Sequence, residues 1–186
     1  WRCTWDVDLV YSDPVVVVRD GARVIAFQPG AKSSRYVNAQ QEELVVGSDR
    51  ACVWTRSDGT RDSFDRAGRL VERDLRNGNR LQLHYDTNGL LVRLDGPRKA
   101  RLDFQTDADG RLREVRDGDG RRCTYAYTNG LLREVLVDGR PAARYAYDAR
   151  GNLTRVEGPG SGPLDISYDA QQRVQGRTGQ GRGTDR

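Results

Sequence analysis

Tyr147-Asp148-Ala149-Arg150-Gly151-Asn152-Leu153-Thr154-Arg155-Val156 sets an aromatic residue and an aspartate ahead of a glycine and an aliphatic run. The chain returns to this combination again and again. It stands as Phe64-Asp65…Gly68-Arg69-Leu70, Tyr85-Asp86…Gly89-Leu90-Leu91 and Phe104…Gly110-Arg111-Leu112. It returns as Tyr127…Gly130-Leu131-Leu132, as the quoted Tyr147-Asp148…Gly151, and as Tyr168-Asp169…Arg173-Val174. The aromatics are spaced by 21, 19, 23, 20 and 21 residues. A period near twenty is the mark of a repeat architecture, in which each unit buries its apolar face only by stacking on the next.

Within each unit the pattern is that of strands. Residues 123, 125 and 127 share one side of an alternating run, as do 143, 145 and 147, so aromatics line up on one face of neighbouring strands. Turn dipeptides separate the runs: Asp20-Gly21, Asp58-Gly59, Asn77-Gly78, Asp117-Gly118 and Asp138-Gly139. Asn-Gly and Asp-Gly predict two-residue hairpin turns, because glycine accepts the positive φ such turns require. No segment keeps apolar residues at i, i+3, i+4 and i+7 over three turns without a glycine, which excludes helix. The expected class is all-β, built of consecutive antiparallel hairpins.

Ahead of the repeats the texture differs. Trp5 to Val10 alternates, Ser12-Asp13-Pro14 is a turn, and Val15 to Val18 is a β-branched run that is either buried on both faces or an edge needing cover. Arg23 to Phe27, a short strand around Tyr36, and Leu44 to Val46 follow. The predicted organisation is a β-rich domain over 1–50, repeats over 51–175, and a flexible tail over 176–186, which has no apolar residue to bury. An array ending at Val174 would leave a strand edge open to another chain.

Composition narrows the function. The chain has 186 residues, 36% hydrophobic and 31% charged, with net charge +4. Acids and bases are interspersed, which argues against a nucleic-acid partner. No apolar run of about eighteen residues exists to span a membrane, and no signal peptide is visible. Cys3, Cys52 and Cys123 lack the spacing of a zinc site; their odd count leaves at least one thiol unpaired within the chain, and a Cys3–Cys52 disulfide stays open. His84, the single histidine, points away from Tyr85 and belongs to no nucleophile–base arrangement. Asp107-Ala108-Asp109-Gly110 and Asp117-Gly118-Asp119-Gly120 fail the spacing of a calcium loop and read as turns. Asp6 and Asp8 share a strand face without the surroundings of an acid–base pair. No catalytic residue, cofactor or metal is expected. The residues that matter are the repeat anchors: Phe64, Asp65, Gly68, Tyr85, Asp86, Gly89, Phe104, Gly110, Tyr127, Gly130, Tyr147, Asp148, Gly151, Tyr168 and Asp169.

The repeated Tyr-Asp…Gly-(Arg/Asn)-Leu unit resembles the YD repeat of rearrangement-hotspot (Rhs) proteins, toxin-complex subunits and teneurins. The likeness runs from about Cys52 to Val174, and residues 1–50 resemble the β-domain that precedes the array in bacterial Rhs proteins. This resemblance implies a β-strip spiralling into a hollow shell around a toxin domain. It implies as partners further YD repeats of the same or another chain, the enclosed toxin, and a secretion apparatus or chaperone. It implies a bacterial, secreted or cell-surface location. The family's shells use more repeats than six, and its self-cleaving motif has no counterpart here. Arg140-Pro141-Ala142-Ala143-Arg144, which spells a spike-tip motif, lies inside a repeat. The other readings are a carbohydrate- or protein-binding module and a self-assembling β-protein.

Overall fold

The computed structural model describes residues 7–12, 14–32, 34–160 and 162–179. Cys3, Asp6, the start of the first predicted strand, Asp13 and the tail beyond residue 179 lie outside them. Among the described residues the regular structure is eighteen strands and one 3-10 turn, Pro97–Lys99. The chain divides into two compact units, Trp1–Arg101 and Leu102–Arg186. Within each, every strand pairs antiparallel with the next in sequence, as the hairpin reading requires.

The first unit holds β1 (Val7–Ser12), β2 (Val15–Asp20), β3 (Arg23–Pro29), β4 (Arg35–Val37), β5 (Glu43–Val46), β6 (Cys52–Thr55), β7 (Arg61–Phe64), β8 (Leu70–Asp74), β9 (Arg80–Tyr85) and β10 (Leu91–Asp95). β3 changes partner along its length. Val16 faces Phe27 on the β2 side, whereas Gln28 and Pro29 pair with Val37 and Tyr36 of β4. The chain turns a corner there, and the β1–β2 hairpin comes back to the β7–β8 turn. The Leu9 amide donates to the Gly68 carbonyl at 2.8 Å, and Asp8 bridges to Arg69. The valine run of β2 is covered on both edges, by β1 and β3, and turns Val16 and Val18 inward.

The core of this unit consists of Val7, Leu9, Val16, Val18 and Phe27 from the first three strands. Leu44, Cys52, Trp54, Phe64, Leu70, Leu83 and Leu94 complete it. Phe27 meets Trp54 edge to face with ring centroids 5.7 Å apart. Such pairs add about 0.5–1.5 kcal/mol beyond the area they bury.

The second unit holds all but the first residue of β11 (Arg101–Thr106), then β12 (Leu112–Asp117), β13 (Arg122–Thr128), β14 (Leu131–Val137), β15 (Arg140–Tyr147), β16 (Leu153–Glu157), β17 (Leu164–Tyr168) and β18 (Val174–Gly179). Tyr125 lies opposite Val135, which lies opposite Ala143, so the face read from alternation is the face observed. Among the described residues of this unit only Leu132 is buried; the other members of the apolar face are half-buried or exposed. β18 runs on through Gly179, into the segment whose composition reads as a tail. Its backbone pairs with β17 from Tyr168↔Val174 to Leu164↔Gly179, which needs no apolar side chain.

Of the five predicted two-residue turns, one forms on the predicted pair: Asp20-Gly21 gives way to Gly21-Ala22, between Asp20 and Arg23, and Asp58-Gly59, Asn77-Gly78 and Asp117-Gly118 sit in longer loops. Asp138-Gly139 is a two-residue turn with both residues at positive φ, +49° and +77°. Asn77-Gly78 instead sits in a longer loop, closed by the Leu75 amide on the Asn79 carbonyl at 2.8 Å. In Asp117-Gly118-Asp119-Gly120 it is Gly120, not Gly118, that takes positive φ, because the Asp117 amide closes on the Arg121 carbonyl at 3.0 Å. These are three-residue hairpin loops ending in a left-handed residue, the next most common solution after the two-residue turn.

Candidate functional site

The aspartate of the repeat is a turn clamp. Asp65 donates its amide to the Arg69 carbonyl at 2.9 Å, and its carbonyl accepts from Gly68 at 2.9 Å. Its Oδ1 accepts from the amides of Ala67, at 2.9 Å, and Arg69, at 3.0 Å. Asp86, Asp107, Asp117, Asp148 and Asp169 make the same pair of carboxylate contacts, to residues two and four positions on. A short acceptor side chain is needed because it must reach back over its own turn. The two acidic pairs weighed as calcium loops therefore commit Asp107 and Asp117 to backbone amides.

Glycine follows because the residue three after the aspartate is left-handed: φ is +78° at Gly68, +82° at Gly89, +76° at Gly110 and +84° at Gly151. In the last unit Gln172 takes that conformation at +62°. Tyr127 has no aspartate after it. Its loop is the two-residue Asn129-Gly130 turn, one residue shorter, so the next aromatic arrives after 20 residues.

A further feature, with no side-chain signature, recurs with the same period. One residue after the aliphatic position, an extra residue interrupts the ladder: Val71, Val92, Arg113, Arg133, Thr154 and Gln175. Their spacing is 21, 21, 20, 21 and 21 residues, more regular than that of the aromatics. Such bulges bend a strand and increase its twist. They also set the phase. Thr106, not Phe104, occupies the place of the aromatic opposite Leu112; Phe104 lies two residues earlier, opposite Val115, on the same face.

The tyrosine ties one unit to the one before. The Tyr85 hydroxyl donates to the Leu70 carbonyl at 2.7 Å, and that of Tyr168 to the Leu153 carbonyl at 2.9 Å. The Arg69 guanidinium lies 4.9 Å from the Tyr85 ring centroid. Tyr85→Phe keeps the ring and removes the hydroxyl, leaving a part-buried carbonyl short of a donor. The expected loss is about 1 kcal/mol in urea unfolding, and an unchanged midpoint would refute the role.

Charged groups on the opposite side of the strands form cross-strand pairs. Arg144 reaches Glu134 at 2.8 Å, Arg155 reaches Asp165 at 2.9 Å, and His84 reaches Asp95 through Nε2 at 2.8 Å. The first unit carries two denser arrangements. Glu42 collects the Ser57 amide at 2.9 Å and hydroxyl at 3.0 Å, Asn38 Nδ2 at 2.8 Å and Trp54 Nε1 at 3.2 Å. Asp62, with no exposed surface, is held by Arg56 and Arg73. Arg56 also pairs with Asp20 at 3.0 Å and stacks 3.9 Å from the Trp54 ring centroid. Asp8 pairs with Arg19.

Cys52 is a free thiol whose Sγ lies 2.8 Å from the Tyr11 hydroxyl, and Cys123 is free as well. Burial pushes the Cys52 thiol up, so it stays protonated and a poor nucleophile. Burial, then the contact with Cys52, pushes the Tyr11 phenol up too.

Several carboxylates sit below their ordinary range. At Glu42 and Asp65 burial pushes upward, and hydrogen bonds outweigh it: from Ser57, Asn38 and Trp54 at the first, from Arg69 and Ala67 at the second. At Asp107 and Asp169 the amide four residues on lowers the value most, and at Asp148 the Asn152 side chain does. A depressed carboxylate stabilises the fold above its unfolded pKa, and that stability is lost as pH falls through the folded value. Urea midpoints should therefore be level between pH 7 and about pH 5 and drop steeply below about pH 4. A drop already complete at pH 5 would contradict this assignment.

A meander of hairpins in which a left-handed turn residue and a bulge just after it recur every twenty or twenty-one residues, with an aspartate clamping that turn in every unit but one, defines a YD-repeat protein. The chain belongs to the family described as Teneurin YD-shell, which matches residues 48–184. It is similar to double-stranded DNA deaminase toxin A of Burkholderia cenocepacia (strain H111), with 35% identity over 108 residues, covering 55% of this chain and 7% of that protein. The fold is similar to that in the crystal structure of TcdB2-TccC3-Cdc42, with TM-score 0.58 at 14% identity, covering 89% of this chain and 11% of that one. It is likewise similar to the Photorhabdus luminescens Tc holotoxin pore, with TM-score 0.56 at 14% identity and the same coverage. The chain thus spans only about a tenth of the proteins it resembles.

Proposed function

We propose that this chain is a non-catalytic arc of a YD-repeat shell that encloses and helps deliver a toxin or effector domain in bacterial competition. The observation that carries the reading is the shell-family match over 48–184, on a unit whose aspartate, glycine, tyrosine and bulge all serve sheet geometry. The curated relative named as a deaminase toxin and the toxin-complex folds support a toxin as the partner. Residues 1–50 act as the β-domain ahead of the repeats, and further YD repeats extend the strip. The location is secreted or at the bacterial surface. Among the described residues no helix is long and apolar enough to cross a membrane.

The test is the intact mass of the native polypeptide from its producing cells, with protease digestion of that polypeptide. A mass several times 20.9 kDa, carrying an effector domain that survives digestion until the shell is denatured, is the expected result. A mass near 20.9 kDa with no associated effector would overturn it and favour a self-assembling or surface-binding module.

A further inference from the structure

The connection Gly96-Pro97-Arg98-Lys99-Ala100-Arg101 differs from every clamped turn of the repeat. Arg98 and Lys99 both adopt left-handed backbone, with φ of +55° and +62°. Elsewhere among the described residues a side-chain-bearing residue at positive φ stands alone or beside a glycine. Two backbone hydrogen bonds close the loop, Gly96 amide to Ala100 carbonyl at 2.8 Å and Ala100 amide to Pro97 carbonyl at 3.1 Å, and no side-chain cap forms at Gly96. Arg98, Lys99, Ala100 and Arg101 are exposed.

We propose that this loop is a processing site for a basic-specific serine endoprotease, which cuts after the Arg98-Lys99 pair. Proteases bind their substrates as extended strands, so the loop must open locally before it is cut. Left-handed backbone is unfavourable for residues with a Cβ, so opening here relieves strain where opening a clamped turn breaks carboxylate–amide bonds. Exposed loop tips are where nicking concentrates. The reaction is hydrolysis. Water adds across the Lys99–Ala100 C–N bond, leaving a carboxylate on Lys99 and an amino group on Ala100, with no redox partner.

The chain holds two lysines, Lys32 and Lys99, both exposed. A lysine-specific endoprotease at limiting concentration therefore sets them in direct competition on the full chain. The expected first products, by mass, are residues 1–99 and 100–186. Cleavage at Lys32 first, or at both sites equally fast, would overturn the proposal. The double variant R98N/K99G keeps residues tolerant of left-handed backbone and removes the basic pair. With its far-UV spectrum unchanged, it should lose the new amino terminus at Ala100 when trypsin is used. Trypsin that digests variant and parent chain at the same rate would show that the loop is not the preferred site.

Discussion

Asp62→Ala should destabilise the protein by about 3–5 kcal/mol, the range for removing one partner of a buried ion pair. Asp62 is fully buried and accepts four charge-assisted bonds: Arg56 Nε at 3.0 Å and Nη2 at 2.7 Å, Arg73 Nε at 2.6 Å and Nη2 at 2.8 Å. Both arginines are largely buried as well, with side chains 17% and 12% exposed. Alanine would leave Arg73 without this counter-ion and Arg56 with Asp20 alone. The cost arises because the remaining charges stay desolvated, not because the triad is favourable against an apolar core. Glu134→Ala supplies the contrast, since its partner Arg144 is 59% exposed and solvent screens the pair. A change of at most about 1 kcal/mol is expected there. Urea unfolding of the full chain measures both, and equal effects would remove the distinction between buried and surface pairs.

Asp62 also shows what kind of information the sequence held unread. In Thr60-Arg61-Asp62-Ser63-Phe64, parity puts 60, 62 and 64 on one face, and all three are buried. An aspartate at an inward position announces a buried counter-ion, but Arg56 and Arg73 become its partners only once β6, β7 and β8 pair. The places of the turns were legible because their chemistry is local, aspartate and then glycine three residues later, whereas loop length was not, since Asn-Gly and Asp-Gly fit a three-residue loop as well as a two-residue one. The alternation of residues 123 to 127 was legible for the same reason. The bulges were not, because an extra residue is defined only against a partner strand, and Val71, Arg113 and Thr154 share no side-chain type. Aromaticity alone points to Phe104, whereas register puts Thr106 in that role. Composition does not change at Arg101 either, so the division between compact units left no mark.

The β1–β2 hairpin was legible as strands but not in its destination, and that destination explains why Gly68 should be the least tolerant glycine of the repeat. A Cβ at Gly68 would stand 2.1 Å from the Leu9 carbonyl oxygen, far inside contact distance, and φ there is +78°. Gly151 holds the equivalent place in its own unit, with φ +84° and nothing within 4 Å of an added Cβ. Alanine at Gly151 therefore meets the left-handed penalty alone, about 1–2 kcal/mol. At Gly68 the same penalty adds to a clash with backbone, and overpacking costs about 1–3 kcal/mol more. Relieving the clash means moving β1 away, which lengthens the Leu9 amide bond to the Gly68 carbonyl and unseats Leu9 from the core. Gly68→Ala should thus lower stability by roughly 2–5 kcal/mol in urea unfolding, and amide exchange at Leu9 should accelerate even where the chain stays folded. Equal losses for the two alanine variants would mean that the close approach of β1 to the β7–β8 turn does not hold in solution.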